Sequence, residues 1–436
     1  MQKILFEYYI EPTTWVYLSS LMTIGIYFKF RRFWSIRNVD LMGLIAFAPG
    51  LLLVSHNLPQ WGYTWLLAVG VAFVVRLLLD SVMVRRPLLE PNLSVDGLTF
   101  AAAALLVFLI ANIITGTLSQ SDLEAAHRID ELFAKEQSAE GNLDLTQHPP
   151  GLPLFFLFST HSDEAFEPPD AEHPEPLPPR ALKRAIVTRT TAIVAQLAVV
   201  LGLVLIGYRH FDSVQTGVAM AALYLLLPYT TQTAPRIDHA VPAALLVWAV
   251  EAYRRPFFAG VFLGSAVSVT FYPVFLLPLW CGFYWQRGFF RFLIGTGFML
   301  ALIVSSLPFT STDMGEFWMQ LKQMFGAGCL SMEPIAGFWR FHPPVYRIPV
   351  AATYAVVCFG FALWPHQKNL GTLLSCSATV MLGAQFWNDP RAGIYYMAWF
   401  LPLLLLTIFR PNLEDRVALA AVKKSWFARK DKKRGQ

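Results

Sequence analysis

The sequence predicts an all-α protein that crosses a membrane many times. Of the 436 residues, 55% are hydrophobic and only 14% are charged, whereas about a quarter are charged in soluble domains. Apolar runs recur along nearly the whole chain, and many approach the length of about 20 residues that a helix needs to cross a bilayer. Because lipid offers no hydrogen-bond partners to the backbone, each crossing run is expected to be a helix.

We count thirteen apolar runs, several of them with soft boundaries, and a range of twelve to fourteen crossings stays open because the short apolar stretch from Gly151 to Ser159 could also cross. The runs are 13–28, 40–55, 61–82, 98–118, 186–207, 214–230, 239–252, 256–270, 272–285, 292–309, 349–364, 371–386 and 394–410. Six regions follow: N-terminal transmembrane helices in 1–118, an external loop in 119–185, central transmembrane helices in 186–309, an external loop in 310–348, C-terminal transmembrane helices in 349–410, and a basic tail in 411–436.

Basic residues predict the orientation. With thirteen crossings and an external N-terminus, the pairs Arg85–Arg86, Arg254–Arg255 and Arg287–Arg291 all fall on the cytoplasmic side, as the positive-inside rule requires. The tail carries a strong excess of Lys and Arg, which suits a cytoplasmic C-terminus and anionic lipid. The cluster from Arg180 to Arg184 opposes this topology. We expect a bacterial inner-membrane protein that binds membrane lipids and no nucleic acid, because no folded basic domain is present.

The external loop after the fourth run holds the first candidate for chemistry. Asp122 comes a few residues beyond the end of its predicted helix, and His148 with two prolines follows before the chain turns apolar again. A carboxylate held at a cavity between helices could act as a general base on an alcohol or amine. A solvated interfacial helix followed by a proline-defined turn is the alternative reading. Between Asp163 and Pro179 lies an acidic, proline-rich insertion, which is expected to be flexible.

This pattern resembles the GT-C superfamily of membrane glycosyltransferases, which includes the protein O-mannosyltransferases and the lipid A aminoarabinose transferases. It consists of an acidic residue just after a transmembrane helix and, some 25 residues later, the step His148-Pro149-Pro150-Gly151 into an apolar stretch. The resemblance implies a GT-C-like bundle with its active site among the external loops. It also implies an inverting transfer from a sugar linked to a polyprenyl phosphate, with Asp122 as the catalytic residue.

Two further stretches are similar to the same superfamily. One is the turn from Thr230 to His239, which leads into a span, a basic turn and a glycine-containing span. The other places Arg391 before Leu401-Pro402 of the last run, and guanidinium binds phosphate oxygens in a bidentate fork. The candidate residues for binding substrate or donor are Glu124, Arg128, His148, Arg236, Asp238, His239, Arg340 and Arg391. For several of these, an interfacial anchoring role is the competing interpretation.

The resemblance leaves cofactor, acceptor and function class partly open. The transfer scheme requires no metal, although Glu124, Asp130 and His148 could bind a divalent cation. The acceptor could be a protein, a glycan or a lipid. A transporter or flippase for a lipid-linked or anionic solute is the alternative function, and it predicts helices broken by Gly or Pro, of which Pro273 and Pro278 are candidates. A non-catalytic membrane scaffold is the third.

Overall fold

The computed structural model describes residues 12–80, 90–115, 179–310, 314–325, 337–365, 368–387 and 397–411. Its α-helices, numbered here in chain order, are α1 (Pro12–Tyr27), α2 (Ile36–Ser55), α3 (Pro59–Asp80), α4 (Val95–Thr115), α5 (Pro179–His210), α6 (Val214–Leu226), α7 (Pro228–Thr233), α8 (Ile237–Glu251), α9 (Pro256–Val269), α10 (Leu277–Tyr284), α11 (Phe289–Thr310), α12 (Met314–Met324), α13 (Arg347–Leu363), α14 (Leu370–Trp387) and α15 (Met397–Phe409). Short 3-10 turns occupy Phe30–Arg32, Ala252–Arg254, Tyr272–Leu276, Gly337–Phe341 and Pro344–Tyr346.

The helices confirm the predicted class of a helical membrane bundle. Every predicted apolar run overlaps a helix. Among the described residues, seven helical stretches are long and apolar enough to cross a membrane, namely Ile36–Ser55, Pro59–Asp80, Val95–Thr115, Ile186–His210, Phe289–Pro308, Pro344–Leu363 and Leu370–Trp387. Shorter apolar helices run through Val214–Leu226, Pro256–Val269, Tyr272–Tyr284 and Met397–Phe409.

Local sequence sets several of the helix boundaries. Ser35 caps α2 by accepting a hydrogen bond from the backbone N–H of Asn38, and Ser213 caps α6 in the same way. Both satisfy amide groups that have no partner inside the helix. The run 272–285, which we predicted as one helix, begins as a 3-10 turn and continues as α10. Pro273 and Pro278 account for this difference, because proline lacks an amide donor and is favoured in the first turn of a helix, where both residues lie.

Glycines allow a close backbone contact between α9 and α11. A Cβ atom on Gly260 or Gly295 would overlap the carbonyl oxygen of the facing helix, at Phe292 and Phe257 respectively. Lipid is as apolar as the helices, so helices in a membrane associate through close packing rather than through burial from water. Removing the side chain at these two positions therefore allows α9 and α11 to pack along their lengths.

Buried charges tie together the ends of three helices. Arg76 of α3 forms a bidentate ion pair with Asp40 of α2, with both N–O distances between 2.8 and 2.9 Å. It also donates to Asp80 at 2.9 Å, and Asp80 accepts a second bond, at 2.5 Å, from Arg410 just beyond α15. Asp80 has no exposed side-chain surface. We call the end of the bundle where α3 and α15 finish the Asp80 end.

A second set of contacts joins helix termini at the opposite end. The indole of Trp399, at the start of α15, donates to the carbonyl oxygen of Asp238, at the start of α8, over 3.0 Å. The other end of α8 carries Glu251, which pairs with Arg209 at the end of α5. Because α15 joins Trp399 to Arg410, the start of α8 lies away from the Asp80 end. We call it the Asp238 end.

Replacement of Gly295 by alanine is expected to destabilise the protein, because the new methyl group overlaps the carbonyl oxygen of Phe257. Overpacking of this kind costs about 1–3 kcal/mol. Gly297, two residues along the same helix, has no atom within 4 Å of an added Cβ. Gly297→Ala should therefore leave the melting temperature unchanged or raise it slightly. Thermal unfolding in detergent compares the two variants, and equal melting temperatures would contradict the close contact.

Replacement of Asp80 by asparagine should be strongly destabilising, since Arg76 and Arg410 would keep their charges in a buried place. Removing one partner of a buried ion pair costs about 3–5 kcal/mol. Arg209→Gln is the matched control, because Arg209 pairs with Glu251 while 55% exposed. Exposed pairs contribute at most about 1 kcal/mol. Denaturant or thermal unfolding should separate the two variants clearly, and a mild effect of Asp80→Asn would show that the network is not a structural requirement.

Candidate functional site

A compact ion pair stands at the start of α8. Arg236 precedes the helix and donates from Nη2 to Oδ2 of Asp238 at 2.8 Å and from Nε to Oδ1 at 3.2 Å. Asp238 lies in the first turn, where the positive end of the helix dipole favours a carboxylate. The two side chains are 18% and 16% exposed, so the pair can be reached from outside the bundle.

Aromatic rings form the wall behind this ion pair. His239 is fully buried, and its Nε2 lies 3.6 Å from the Asp238 carboxylate. The ring of Trp399 lies 5.8 Å from His239 on one side and 4.6 Å from Tyr272 on the other. The bond from the Trp399 indole to the Asp238 carbonyl therefore fixes the last helix against the first turn of α8. We call Arg236, Asp238, His239, Tyr272 and Trp399 the Asp238 cluster.

The neighbouring helix termini continue the polar and aromatic surface. Trp387, the last residue of α14, packs at 6.4 Å from the ring of Tyr272. Its carbonyl oxygen accepts a 3.0 Å hydrogen bond from Nε of Arg347, a guanidinium that is only 2% exposed at the start of α13. The indole of Trp339 donates to the carbonyl of Phe386 at 2.8 Å. These bonds bring the starts of α13 and α8 and the end of α14 to the same end of the bundle.

The end of α4 is attached to the same region. Asn112, in the last turn of α4, donates from its amide to the carbonyl oxygen of Thr231 in α7 over 3.1 Å. Thr231 stands five residues before Arg236 in the chain. The described part of α4 finishes at Thr115, so the end of α4 lies near the turn that carries the ion pair.

The structure brings three of the predicted site residues together, namely Arg236, Asp238 and His239. Arg340 is exposed on the 3-10 turn Gly337–Phe341, next to Trp339. The predicted residues Asp122, Glu124, Arg128, His148 and Arg391 lie outside the described residues.

Sequence reasoning missed the buried cation Arg347. Its only sequence signal is its position just before an apolar run, which is equally typical of an exposed interfacial arginine. It also missed the interaction of Trp399 with Asp238, because the two residues are 161 positions apart. The local sequence pattern alone indicates neither the burial of Arg347 nor the contact between Trp399 and Asp238.

The cluster is suited to binding a polar or anionic group rather than to taking a proton. Both oxygens of the Asp238 carboxylate already accept hydrogen bonds from Arg236, so they are engaged before any ligand binds. The guanidinium has a planar fork that matches phosphate and carboxylate oxygens. A general base for chemistry here would therefore have to come from another segment.

Metal binding receives no support from the described part of the chain, where no group of three or more His, Cys, Asp or Glu side chains could hold an ion. The residues predicted as possible ligands, Glu124, Asp130 and His148, lie outside that part.

Comparison with known proteins gives no family for the chain. No protein-family model matches it, and searches of curated proteins and of solved structures find no significant match.

Proposed function

We propose that the protein is a GT-C-type membrane glycosyltransferase that moves a sugar from a polyprenyl-phosphate donor to an acceptor on the extracytoplasmic side. The proposal includes thirteen crossings, an external Asp238 end, a cytoplasmic C-terminus and a location in a bacterial inner membrane. The acceptor, whether protein, glycan or lipid, stays open.

The observation that carries the proposal is the Asp238 cluster. Two arginines, Arg236 and Arg347, lie at one end of a helical bundle among helix termini and aromatic rings. The sequence had marked the turn around Arg236 because it resembles the middle section of GT-C enzymes. A partly exposed guanidinium at the membrane boundary is suited to the phosphate of a lipid-linked donor.

Chain connectivity keeps the other predicted residues within reach of this cluster. Asp122 follows Thr115 by seven residues, which an extended chain covers in at most about 25 Å. Arg391 follows Trp387 by four residues, or at most about 14 Å. Thr115 and Trp387 both belong to helices that finish at the Asp238 end. The proposed base and the proposed phosphate ligand are thus tethered to the same end of the bundle.

In the proposed reaction, Asp122 accepts the proton of the acceptor hydroxyl or amine as that group attacks C1 of the sugar. The bond between C1 and the phosphate oxygen breaks, and the polyprenyl phosphate leaves with the electron pair. Arg391, with Arg340 or Arg236, stabilises the charge that develops on the leaving phosphate. Cationic groups aimed at a developing charge act most strongly where water is excluded.

Replacing Asp122 by asparagine tests the proposal directly. Loss of a general base lowers a rate by about 100-fold to 10,000-fold. Purified protein would be incubated with labelled polyprenyl-phosphate sugars and a membrane extract as the source of acceptor, and release of polyprenyl phosphate would be measured. Asp144→Asn, a change of the same type in the same loop, is the control and should keep full activity.

Two outcomes would count against the proposal. A wild-type protein that releases no polyprenyl phosphate from any donor would oppose glycosyl transfer altogether. Activity retained by Asp122→Asn, at equal abundance in the membrane, would remove Asp122 from the mechanism while leaving the reaction class intact.

Trp399→Phe should reduce the rate of sugar transfer, because Trp399 positions the first turn of α8 and its Asp238. The substitution removes the indole bond that holds the Asp238 carbonyl, and Trp248→Phe removes an equivalent 3.0 Å bond from Trp248 to the carbonyl of Ala198. Each lost bond costs about 1 kcal/mol of stability. Both variants should melt at similarly lowered temperatures, whereas only Trp399→Phe should lower kcat/KM for the donor. Equal activity losses would mean that Trp399 contributes to stability alone.

The alternative function, transport of a lipid-linked or anionic solute, has one supporting observation. The helical path is broken between Val269 and Tyr272 and resumes as a 3-10 turn, and transporters often build their substrate sites from broken helices. Uptake of solute into proteoliposomes without release of polyprenyl phosphate would favour transport over transfer.

A further inference from the structure

A basic turn with an open cavity lies between α10 and α11, in a part of the chain that the proposed reaction does not use. The cavity measures about 550 Å³ and is lined by the seven consecutive residues from Trp285 to Arg291. Arg287 and Arg291 are both exposed, and none of the seven lining residues is acidic. The turn therefore carries two positive charges that no neighbour in the lining compensates.

A second pair of arginines lies on the adjacent turn. Gly288 adopts a left-handed conformation with φ of +97°, and a Cβ atom there would lie 2.7 Å from Cγ of Pro256. Pro256 directly follows the exposed residues Arg254 and Arg255. The hydroxyl of Tyr284 donates to the carbonyl of Tyr253 over 2.6 Å, which joins the two turns a second time. Four guanidinium groups are thus carried by two turns in direct contact.

Large apolar side chains border the same surface. Trp285 and Phe290 are 70% and 77% exposed, and Phe258 of the adjacent helix α9 is 51% exposed. The exposed face continues along α11 through Ile294 and Phe298. Since α11 is one of the helices able to cross a membrane, this face has the character of a lipid-facing surface.

A surface with cationic groups next to exposed apolar side chains is complementary to a ligand that has an anionic headgroup and apolar chains. We infer that the turns Tyr253–Pro256 and Trp285–Arg291 bind the headgroup of an anionic phospholipid, whose acyl chains lie along Phe290, Ile294 and Phe298. The phosphate diester would accept hydrogen bonds from the guanidinium groups of Arg287 and Arg291, and the neighbouring pair would add long-range attraction.

Charge and shape argue against other occupants. The C-terminal tail, from Arg410 onward, has three times as many basic as acidic residues and would be repelled by this surface. A soluble anion would use the arginines but would leave the exposed Trp285 and Phe290 unexplained. A phospholipid uses both parts of the surface.

The test is native mass spectrometry of the full-length protein, purified and equilibrated with equal amounts of phosphatidylglycerol and phosphatidylcholine. The wild-type protein should retain phosphatidylglycerol preferentially. The double variant Arg287→Gln/Arg291→Gln should bind it roughly 25-fold more weakly, at about fivefold per arginine near a membrane surface. Arg287→Lys/Arg291→Lys keeps the charge and should keep most of the binding.

Arg31→Gln/Arg32→Gln is the matched control, because it removes two exposed arginines beside the exposed rings of Phe30 and Phe33 on another turn. It should leave the retention of phosphatidylglycerol within about twofold of wild type, since a defined site depends on its own ligands. If both Gln variants lost phosphatidylglycerol binding to the same extent, general attraction by positive charge would explain the binding, and the proposed site would be wrong. Displacement of the lipid by inorganic phosphate alone would also overturn it, in favour of a soluble anion.

Discussion

The side chain of Asp80 is fully buried, and the helices that meet there supply the positive charges that neutralise it. An ionised carboxylate in such a place needs cations bonded to it, because the cost of removing an ion from water reaches several kcal/mol. Arg76 and Arg410 supply the bonds, and Arg76 also holds Asp40. Asp40 near the start of α2, Asp80 at the end of α3 and Arg410 just beyond α15 are therefore held at one level. Because α15 is one continuous helix, the same arrangement is connected to its other terminus, where Trp399 meets α8.

Helix length explains why the opposite end can hold a site. The helix α8 has 15 residues and is about 22 Å long, less than the hydrocarbon thickness of about 30 Å. If it spans the membrane, at least one of its termini lies below the membrane surface. Arg236, just before α8, and Asp238, in its first turn, both have largely buried side chains, and the rings of Tyr272 and Trp399 lie nearby. An ion pair that is largely shielded from bulk water is held together more strongly, so a charged ligand must compete with the attraction between Arg236 and Asp238.

The sequence predicted the helices well because lipid imposes one rule on every crossing segment. The run 371–386, for example, became α14 at Leu370–Trp387. Contacts between residues far apart in the sequence could not be predicted. Asp80 and Arg410 are 330 residues apart, and nothing near either residue indicates the other. The candidate site was predicted only around Arg236, where the order of turns and apolar runs along the chain drew attention to Arg236, Asp238 and His239. The assignments of Asp122 and Arg391 stay predictions.

The arginines at the two ends are expected to bind anions differently, because Arg236 is paired with a carboxylate whereas Arg287 and Arg291 have no acidic residue in their cavity. Arg287 and Arg291 have no acidic neighbour in their cavity, so an anion binds them without displacing a protein group. Arg236 already forms two hydrogen bonds with the Asp238 carboxylate. A phosphate that binds Arg236 must therefore compete with that carboxylate. Ground-state binding of a donor phosphate is then weakened. As the sugar departs and charge accumulates on the phosphate, the exchange becomes favourable. Under the proposed function, Asp238 therefore directs the binding energy of Arg236 toward the transition state, which is the only place where it raises kcat.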